Sequence, residues 1–375
     1  MAEIQETPEN QIAIAGPEII PEPKIGSCTS FGQLKSVIVG NESKFTKTFA
    51  DFTFKHFYQQ SLNQQVYDQN KYKLTYEMSL ERNEDLDNLA KVIESRGPKV
   101  YRPDDLTGTK IKFKTPEFES EISPASNVRD VSIVYRDSII ETPPFVRNRY
   151  FENKHLYKVF FEHFTKGYKW IRFPHIELTE KTMDLEPWNS DRDYFNFDFS
   201  KYVPCIDGAQ FLRMGKDVIV NINSYNHYLG YLWVKSFFPD TEFHLINVAD
   251  NHIDGSIVCL KPGVFLINPE YQRLKDILPK KFKDYKFLCP KVTTRKTQGY
   301  KLASDQGMDV NILSINEKEV ITNKNAHYVN DLLDANGFNV IPVKLDHCEL
   351  FGGGIHCSTL DLHREDDFID YGIYS

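Results

Sequence analysis

Several features that would place the chain in a class at once are missing from its 375 residues. No apolar run approaches the roughly 20 residues that a membrane-spanning helix needs. The opening MAEIQETPEN is acidic, whereas a secretory signal peptide begins with basic residues followed by an apolar stretch. A net charge of −8 leaves no surplus of Lys and Arg to neutralise nucleic-acid phosphates. We therefore expect a soluble, cytoplasmic protein that binds neither membranes nor nucleic acid.

Cysteine is scarce and shows no metal-binding pattern. Six cysteines are spread along the chain without a C-x-x-C spacing, which argues against a disulfide scaffold and against a zinc ribbon. His347–Cys348 and His356–Cys357 place four ligand types in pairs, but neither pair has zinc-finger spacing. We expect free thiols and no metal site.

The first part of the chain differs in composition from the rest. Residues 1–25 combine Pro, Glu and Gln with few aromatic side chains. Such a segment cannot bury enough apolar surface to offset the entropy lost on ordering. The composition predicts a disordered tail over 1–25 and a single folded domain over 26–375.

A unit of strands and a helix recurs along that domain. A helical stretch leads through a turn into a short strand at five places, which are 95–105, 165–175, 238–248, 282–290 and 335–345. Apolar hairpins recur at four places, which are 131–141, 209–220, 256–267 and 310–321. Pairing the two chain ends, 34–40 with 356–362, would supply the fifth. The pattern predicts an α/β fold, a five-bladed α/β propeller. The alternative is an irregular α/β protein whose short apolar runs are alike by chance.

Polar residues recur just before or at the start of each hairpin. They are Asp130, Asp207, His252, Asp254, Ser304, Asp305, Asp309, His356 and Cys357. If the units are related by rotation about one axis, these side chains converge at one mouth of the ring. Together they supply a thiol nucleophile, an imidazole that transfers protons near neutral pH, and carboxylates whose oxygens match a planar guanidinium.

The stretch FGGGIHCSTLDLHR brings three consecutive glycines next to this thiol. Glycine allows close approach to the backbone, so a substrate could lie against Gly353 and Gly354 beside Cys357. A flexible surface loop is the alternative. In the strand that follows, Asp361 is expected on the solvent face, in a structural role.

GGGIHCST resembles the nucleophile motif of the guanidino-group-modifying superfamily with the pentein fold. That superfamily includes arginine and agmatine deiminases, dimethylargininases and amidinotransferases. The stretches GQLKSVIVGN, SNVRDVSIVYRDSIIETP, RNRYFE, KGYKW, CIDGAQFLRMGKD, YNHYLGYLW and HIDG, in this order, resemble the glycine amidinotransferase branch. The likeness runs from about Gly32 to Asp367 and makes 26–375 a pentein-type catalytic domain.

The resemblance implies a role for each matched residue. Cys357 would attack the guanidino carbon, His252 would act as general acid and base, and Asp207 would orient His252. Asp130 and Asp254 would hold the guanidinium. L-arginine would donate its amidino group to Cys357, L-ornithine would leave, and an amine acceptor would then take the group, in a ping-pong reaction that needs no cofactor.

Departures from the branch bear on the acceptor. Ala249 and Asn251 stand where glycine-using members carry an Asn and a Met, which predicts an acceptor bulkier than glycine. Ser304 and Asp305 align with two serines, and the added carboxylate suits an α-amino group or a cationic acceptor. Such changes resemble members that act in bacterial natural-product pathways, including those of guanidine toxins.

A further departure concerns the donor. Tyr271 stands where the branch has an Arg for the donor's α-carboxylate, and Arg273 is the candidate substitute. Two rival functions stay open: a guanidino-group hydrolase that uses water as acceptor, and a binding protein without turnover. A homodimer is the assembly to test first, because dimers are the commonest oligomers.

Overall fold

The computed structural model describes residues 26–42, 51–57, 74–106, 111–249, 252–291 and 308–373. The predicted tail, 1–25, lies outside these residues, and so do three predicted site residues, Asn251, Ser304 and Asp305.

The strands are β1 (Gln33–Val39), β2 (Lys99–Tyr101), β3 (Lys112–Lys114), β4 (Glu119–Glu121), β5 (Ser132–Tyr135), β6 (Ser138–Glu141), β7 (Lys169–Arg172), β8 (Phe211–Met214), β9 (Asp217–Asn221), β10 (Glu242–Ile246), β11 (Ile257–Lys261), β12 (Val264–Ile267), β13 (Lys286–Leu288), β14 (Leu313–Ser314), β15 (Glu319–Asn323), β16 (Asn339–Val343) and β17 (Thr359–Glu365). The α-helices are α1 (Phe52–Phe57), α2 (Tyr76–Ser95), α3 (Tyr157–Phe164), α4 (Tyr225–Lys235), α5 (Leu274–Ile277), α6 (His327–Ala335) and α7 (Cys348–Phe351).

Most strands belong to three-stranded sheets built on one plan. An antiparallel hairpin pairs through its second strand with a parallel strand that follows a helix. This plan describes β5-β6-β7, β8-β9-β10, β11-β12-β13 and β14-β15-β16. In a further sheet, β17-β1-β2, the two chain ends form the antiparallel pair, with Val37 opposite Asp361. The predicted pairing of the chain ends is confirmed.

Helix α2 shows how the sequence sets these elements. Thr75 begins the helix by accepting a hydrogen bond from the Met78 amide on its side-chain oxygen, at 3.3 Å. Its apolar residues recur every three or four positions and are buried on one face, as Leu86, Leu89, Ala90 and Ile93. They pack against β1 and the sheet of β14, β15 and β16. No described helix combines the length and apolar character of a membrane span.

The prediction for Asp361 is wrong in one respect, because its side chain is fully buried. Its carboxylate accepts hydrogen bonds from Arg129, Arg213 and, at 2.7 Å, from Arg364 Nε. Although burial opposes ionisation, these three arginines hold the pKa of Asp361 well below its usual range. The side chain of Asp361 therefore points into the protein, where a charge network joins the chain-end sheet to residues of two other units.

Candidate active site

The thiol of Cys357 lies in the turn just before β17 and is 2% exposed. Its Sγ donates to Asp254 Oδ2 at 3.3 Å and accepts from Asn311 Nδ2 at 3.1 Å. The Cys357 amide donates to Asn311 Oδ1 at 3.0 Å. Burial, followed by the charges of Asp254 and Asp130, raises the pKa of the thiol well above its usual value. With no substrate charge nearby, Cys357 is therefore a neutral thiol.

The imidazole of His252 lies between two buried carboxylates. His252 Nε2 is 3.0 Å from Asp207 Oδ2, and His252 Nδ1 is 3.5 Å from Asp130 Oδ1. Burial alone would lower the pKa of His252, but Asp130 and Asp207 outweigh it and raise the pKa to about 9. At neutral pH the ring is therefore an imidazolium and can donate a proton.

The carboxylate of Asp130 has one occupied oxygen and one open oxygen. Asp130 Oδ2 accepts from Arg149 Nη1 at 2.7 Å, whereas Asp130 Oδ1 takes no hydrogen bond within the described ranges. Burial raises its pKa to about 6, against the opposing charges of His252 and Arg149. Arg149 is itself held by a bidentate pair with Glu152, at 2.7 Å through each contact.

The two oxygens of Asp254 differ from each other in the same way. Asp254 Oδ2 accepts from His356 Nδ1 at 2.8 Å and from the Cys357 thiol, while Oδ1 is buried without a hydrogen bond from any described residue. Burial opposes ionisation, but the neighbouring His356 and His252 lower the pKa of Asp254. Two buried carboxylates thus present one oxygen each that takes no hydrogen bond from a described residue, in the neighbourhood of the thiol and the imidazole.

Short turns at equivalent places in neighbouring sheets bring these residues together. The Gly208 amide, next to Asp207, donates to the Asp130 carbonyl at 2.6 Å. In the same way the amide of His356 donates to the Asn311 carbonyl at 3.3 Å, and Asn311 Nδ2 reaches the Asp254 carbonyl at 3.4 Å. Together with the His252–Asp207 contact, these hydrogen bonds join the turns before β5, β8, β11, β14 and β17.

Gly353 and Gly354 lie against two asparagine side chains. A Cβ on Gly353 would clash with the amide of Asn127, and one on Gly354 would lie 2.7 Å from Asn311 Oδ1. Close approach of these amides is the immediate reason for glycine at both positions. Contact between the substrate and this backbone stays a prediction.

The remaining predicted residues differ in their surroundings. Ala249 is fully buried in an apolar cluster, and its amide and carbonyl both contact the side chain of Asn221. Arg273 donates from Nη2 to the Val248 carbonyl at 3.0 Å and stacks over Trp188 at 5.7 Å. Arg273 is thus bound to the segment that leads toward His252.

Sequence reasoning missed Asn311 and Arg149. Asn311 lies two residues before β14, just as Asp130 lies two residues before β5, so its position was an available signal. Sequence reasoning selected the acidic residues before that hairpin, Asp305 and Asp309, instead. Arg149 lies in RNRYFE, and nothing in the local pattern indicates that this arginine faces Asp130.

Aromatic residues of α1 lie next to the His252–Asp207 pair. The ring of Phe57 lies 5.3 Å from that of His252, and His56 stacks on Phe145 at 5.6 Å. Phe145 in turn donates its backbone amide to Asp207 Oδ1 at 3.4 Å. Phe57 and Phe145 therefore contact His252 and Asp207, respectively.

A separate group of ligand types, Asp217, Glu242 and His244, could in principle reach a common metal ion. The Lys281 ammonium already lies among them, in contact with Asp217 and 2.7 Å from Glu242 Oε2. We therefore describe this group as an ion-pair network on β9 and β10.

Relatives with named activities are similar to this chain over about three quarters of its length. The mitochondrial glycine amidinotransferase of Xenopus laevis is 28% identical over 299 residues, which are 77% of this chain and 70% of that protein. The L-arginine:L-lysine amidinotransferase of Pseudomonas savastanoi pv. phaseolicola is 29% identical over 295 residues, 76% of this chain and 80% of that protein. No protein-family model matches the chain.

Solved structures extend the likeness to the fold. The inosamine-phosphate amidinotransferase of Streptomyces griseus superposes with a TM-score of 0.83 at 24% identity, over 94% of this chain and 100% of that one. The amidinotransferase of the saxitoxin biosynthetic pathway from Microseira wollei gives 0.75 at 26% identity, over 93% and 99%. A dimethylarginine dimethylaminohydrolase gives 0.52 at 12% identity, over 88% and 99%, which shows the fold alone.

The chain thus has a pentein-type α/β fold. Its sequence is similar to those of amidinotransferases, and by this homology it is an amidinotransferase-like enzyme, a transferase.

Proposed function

We propose that the protein transfers the amidino group of L-arginine to a primary amine bulkier than glycine, through a covalent intermediate on Cys357. The observation that carries the proposal is the pair of buried carboxylate oxygens without a hydrogen bond from the described part of the chain, Asp130 Oδ1 and Asp254 Oδ1, near the thiol and His252. A guanidinium is planar and carries N–H donors on several sides, so it can satisfy both oxygens at once. An ammonium or a neutral ligand would match the two oxygens less well than a planar guanidinium does.

Binding of the guanidinium would also activate the nucleophile. The same carboxylates that oppose thiolate formation in the empty site are neutralised when a cation binds between them. The thiol then releases its proton to solvent, and the thiolate attacks the guanidino carbon. His252, as imidazolium, gives its proton to the departing nitrogen, the carbon–nitrogen bond breaks, and L-ornithine leaves as a free amine. Cys357 retains the amidino group as a cationic thioether.

The acceptor half-reaction reverses these steps with a different amine. The acceptor enters as the free amine, attacks the amidino carbon, and gives one proton to the neutral His252. The carbon–sulfur bond then breaks with its electron pair on sulfur, and the new guanidinium leaves. Asp207 keeps His252 oriented in both half-reactions, through the 3.0 Å contact to Nε2.

The acceptor pocket is assigned by position in the chain. We propose that Ala249, Asn251, Ser304 and Asp305 line it and that Arg273 meets the donor's carboxylate. Ala249 is a small residue on the segment that leads to His252, so it leaves more space than the Asn of glycine-using relatives. Relatives named for lysine and for an inosamine phosphate set precedents for large acceptors. A role in natural-product biosynthesis, including toxin biosynthesis, is the pathway class we infer.

The same proposal covers the architecture. We propose that the five three-stranded sheets are blades of a propeller around this pocket, within one catalytic domain over 26–375. The equivalent placement of the active-site turns before β5, β8, β11, β14 and β17 supports it. The homodimer stays a prediction, which analytical ultracentrifugation tests.

Product analysis separates transferase from hydrolase. The enzyme is incubated with guanidino-labelled arginine alone, then with glycine, taurine, lysine, diamines, an aminocyclitol or an amino ketone. We expect one equivalent of ornithine per enzyme without acceptor, and continuous ornithine with the right amine. Continuous citrulline from arginine alone would instead identify a deiminase. The matched control, Cys357→Ala, should form no labelled enzyme, whereas a binding protein would keep its arginine affinity in that variant.

A further inference from the structure

We propose that Asn311 is a catalytic residue of this transfer, the N–H donor that stabilises the Cys357 sulfur whenever the sulfur carries negative charge. This inference rests on the proposed function and deepens it. Asn311 is 2% exposed and contacts the reacting atom itself, with Nδ2 at 3.1 Å from Sγ.

The orientation of the amide follows from its partners. The Cys357 backbone N–H donates to Asn311 Oδ1 at 3.0 Å, and only the oxygen end of an amide can accept that hydrogen bond. The NH₂ end must therefore face the sulfur. A further weak contact, 3.4 Å to the Asp254 carbonyl, suits the second N–H of the same group.

The donor is held in place before any reaction occurs. The Asn311 amide donates to the Met308 carbonyl at 3.1 Å, and the Asn311 carbonyl accepts from the His356 amide at 3.3 Å. Gly354 lets the side chain approach, because a Cβ there would lie 2.7 Å from Oδ1. A donor fixed in this way stabilises developing charge without reorganising.

Burial and the neighbouring carboxylates oppose a negative charge on the sulfur. Asp254 lies 3.3 Å from Sγ, and Asp130 also acts on the thiol through its charge. Asn311 donates a side-chain hydrogen bond to Sγ, beside the backbone hydrogen bond of Gly354, which also lowers the pKa of the thiol. Its N–H group therefore offsets part of the repulsion that the substrate-binding carboxylates impose on a thiolate.

Charge on sulfur appears twice in the cycle. Before attack on arginine the sulfur is a thiolate, and in the intermediate it is an uncharged thioether sulfur next to the cationic amidino carbon. When an amine attacks that carbon and passes one proton to His252, the carbon–sulfur bond breaks and its electron pair returns to Cys357. The N–H···S contact strengthens during this step, so Asn311 should accelerate departure of the thiolate.

The test uses ornithine as acceptor, because return of the amidino group to ornithine is the reverse of the donor step and needs no knowledge of the natural amine. Full-length enzyme is loaded with labelled arginine, separated from free ligand, and mixed with L-ornithine in a rapid-quench instrument. Asn311→Asp keeps an oxygen for the Cys357 amide and removes the N–H donor. We expect the return of label to arginine to slow about 10- to 100-fold, the usual effect of losing a hydrogen bond to a charged group.

Asn127→Asp is the matched control. Asn127 is a buried amide that packs on Gly353 of the same loop and donates to the Phe351 carbonyl at 3.0 Å, without a hydrogen bond to the sulfur. That variant should keep the wild-type thiol pKa, whereas Asn311→Asp should raise it. Asn311→Gln, which retains an amide, should recover part of the rate, and thermal melting checks that each variant folds.

The outcomes separate this inference from the proposed function. If Asn311→Asp and Asn311→Gln both return label at the wild-type rate with an unchanged thiol pKa, Asn311 only positions the loop and the inference is overturned. If Asn311→Asp does not fold, the thiol pKa and return rate of Asn311→Gln decide in the same way. If the wild-type enzyme takes up no label from arginine, the proposed function itself fails.

Discussion

Arg149 Nη1 lies 2.7 Å from Asp130 Oδ2 and leaves the other oxygen of Asp130 turned toward His252, which lies 3.5 Å away. This one ion pair decides which oxygen of Asp130 is open. It also gives the partly buried Arg149 a direct part in the electrostatics of the site, because its positive charge lowers the pKa of Asp130 against the effect of burial.

Removing that arginine should damage both folding and arginine binding. Arg149→Met leaves Asp130 and Glu152 as buried carboxylates without their partner, a change that typically costs about 3–5 kcal/mol of unfolding free energy. We also expect a rise in KM for arginine, because a protonated Asp130 binds a guanidinium poorly. Urea denaturation and initial rates measure the two effects.

Arg96→Met is the control for that experiment. Arg96 also pairs with a glutamate, Glu319, but at 3.7 Å and with 41% of the arginine side chain exposed. A surface pair of this kind contributes less than about 1 kcal/mol. Equal losses of stability in the two variants would contradict the role assigned to Arg149.

The pH dependence of the donor step should follow Asp130 and His252. In the proposed reaction, Asp130, with a pKa of about 6, must be ionised to hold the guanidinium, and His252, with a pKa of about 9, must be protonated to release ornithine. Plotted against pH, kcat/KM for arginine should therefore fall below about 6 and above about 9. Asp207→Asn removes one of the carboxylates that raise the pKa of His252, so the alkaline limb should move to lower pH. An alkaline limb in the same place would contradict the assignment to His252.

The same imidazole links stability to pH. Its folded pKa of about 9 exceeds the unfolded value of about 6.5, so the stability it contributes is complete below that unfolded value. That contribution is lost as pH rises from there through about 9. His252→Gln should flatten the alkaline part of a plot of unfolding free energy against pH. An unchanged slope would show that another group titrates there.

Substrate charge should lower the thiol pKa of Cys357. Its pKa is raised by burial and by Asp254 and Asp130, and a cation between these carboxylates removes much of the second effect. We expect the thiolate absorbance, taken as the difference between wild type and Cys357→Ser, to appear at lower pH when guanidinium ion is present. An identical thiol pKa with and without guanidinium would defeat substrate-assisted activation.

The buried carboxylate of Asp361 should matter for folding far more than its place in an alternating strand suggests. Asp361→Asn leaves Arg129, Arg213 and Arg364 without their common anion, so we expect a loss of at least about 3–5 kcal/mol of unfolding free energy. Glu365→Gln, in the same strand, removes only an exposed pair with Lys35 and should cost less than about 1 kcal/mol. Urea denaturation compares them, and similar midpoints would contradict the central role of Asp361.

Much of the fold could be predicted from local pattern. Alternating apolar residues and turn residues indicate each hairpin, and the spacing of Leu86, Leu89 and Ile93 indicates the buried face of α2, because both signals depend on neighbours within a few positions. The pairing of the chain ends was predictable from repetition, since one hairpin was missing from a set of otherwise complete units. The buried face of Asp361 was not, because alternation separates the two faces of a strand without saying what covers each one.

The same distinction between local pattern and tertiary contact applies to the site. The sequence by itself determined which reactive groups exist, a thiol, an imidazole and several carboxylates, and that they stand at equivalent places before successive hairpins. Only the tertiary structure decided which oxygen of Asp130 and of Asp254 is left open, that Arg149 compensates one of these carboxylates, and that Asn311 donates to the sulfur. Those properties depend on distances of a few ångströms between residues far apart in the chain, and a one-dimensional pattern carries no information about such distances.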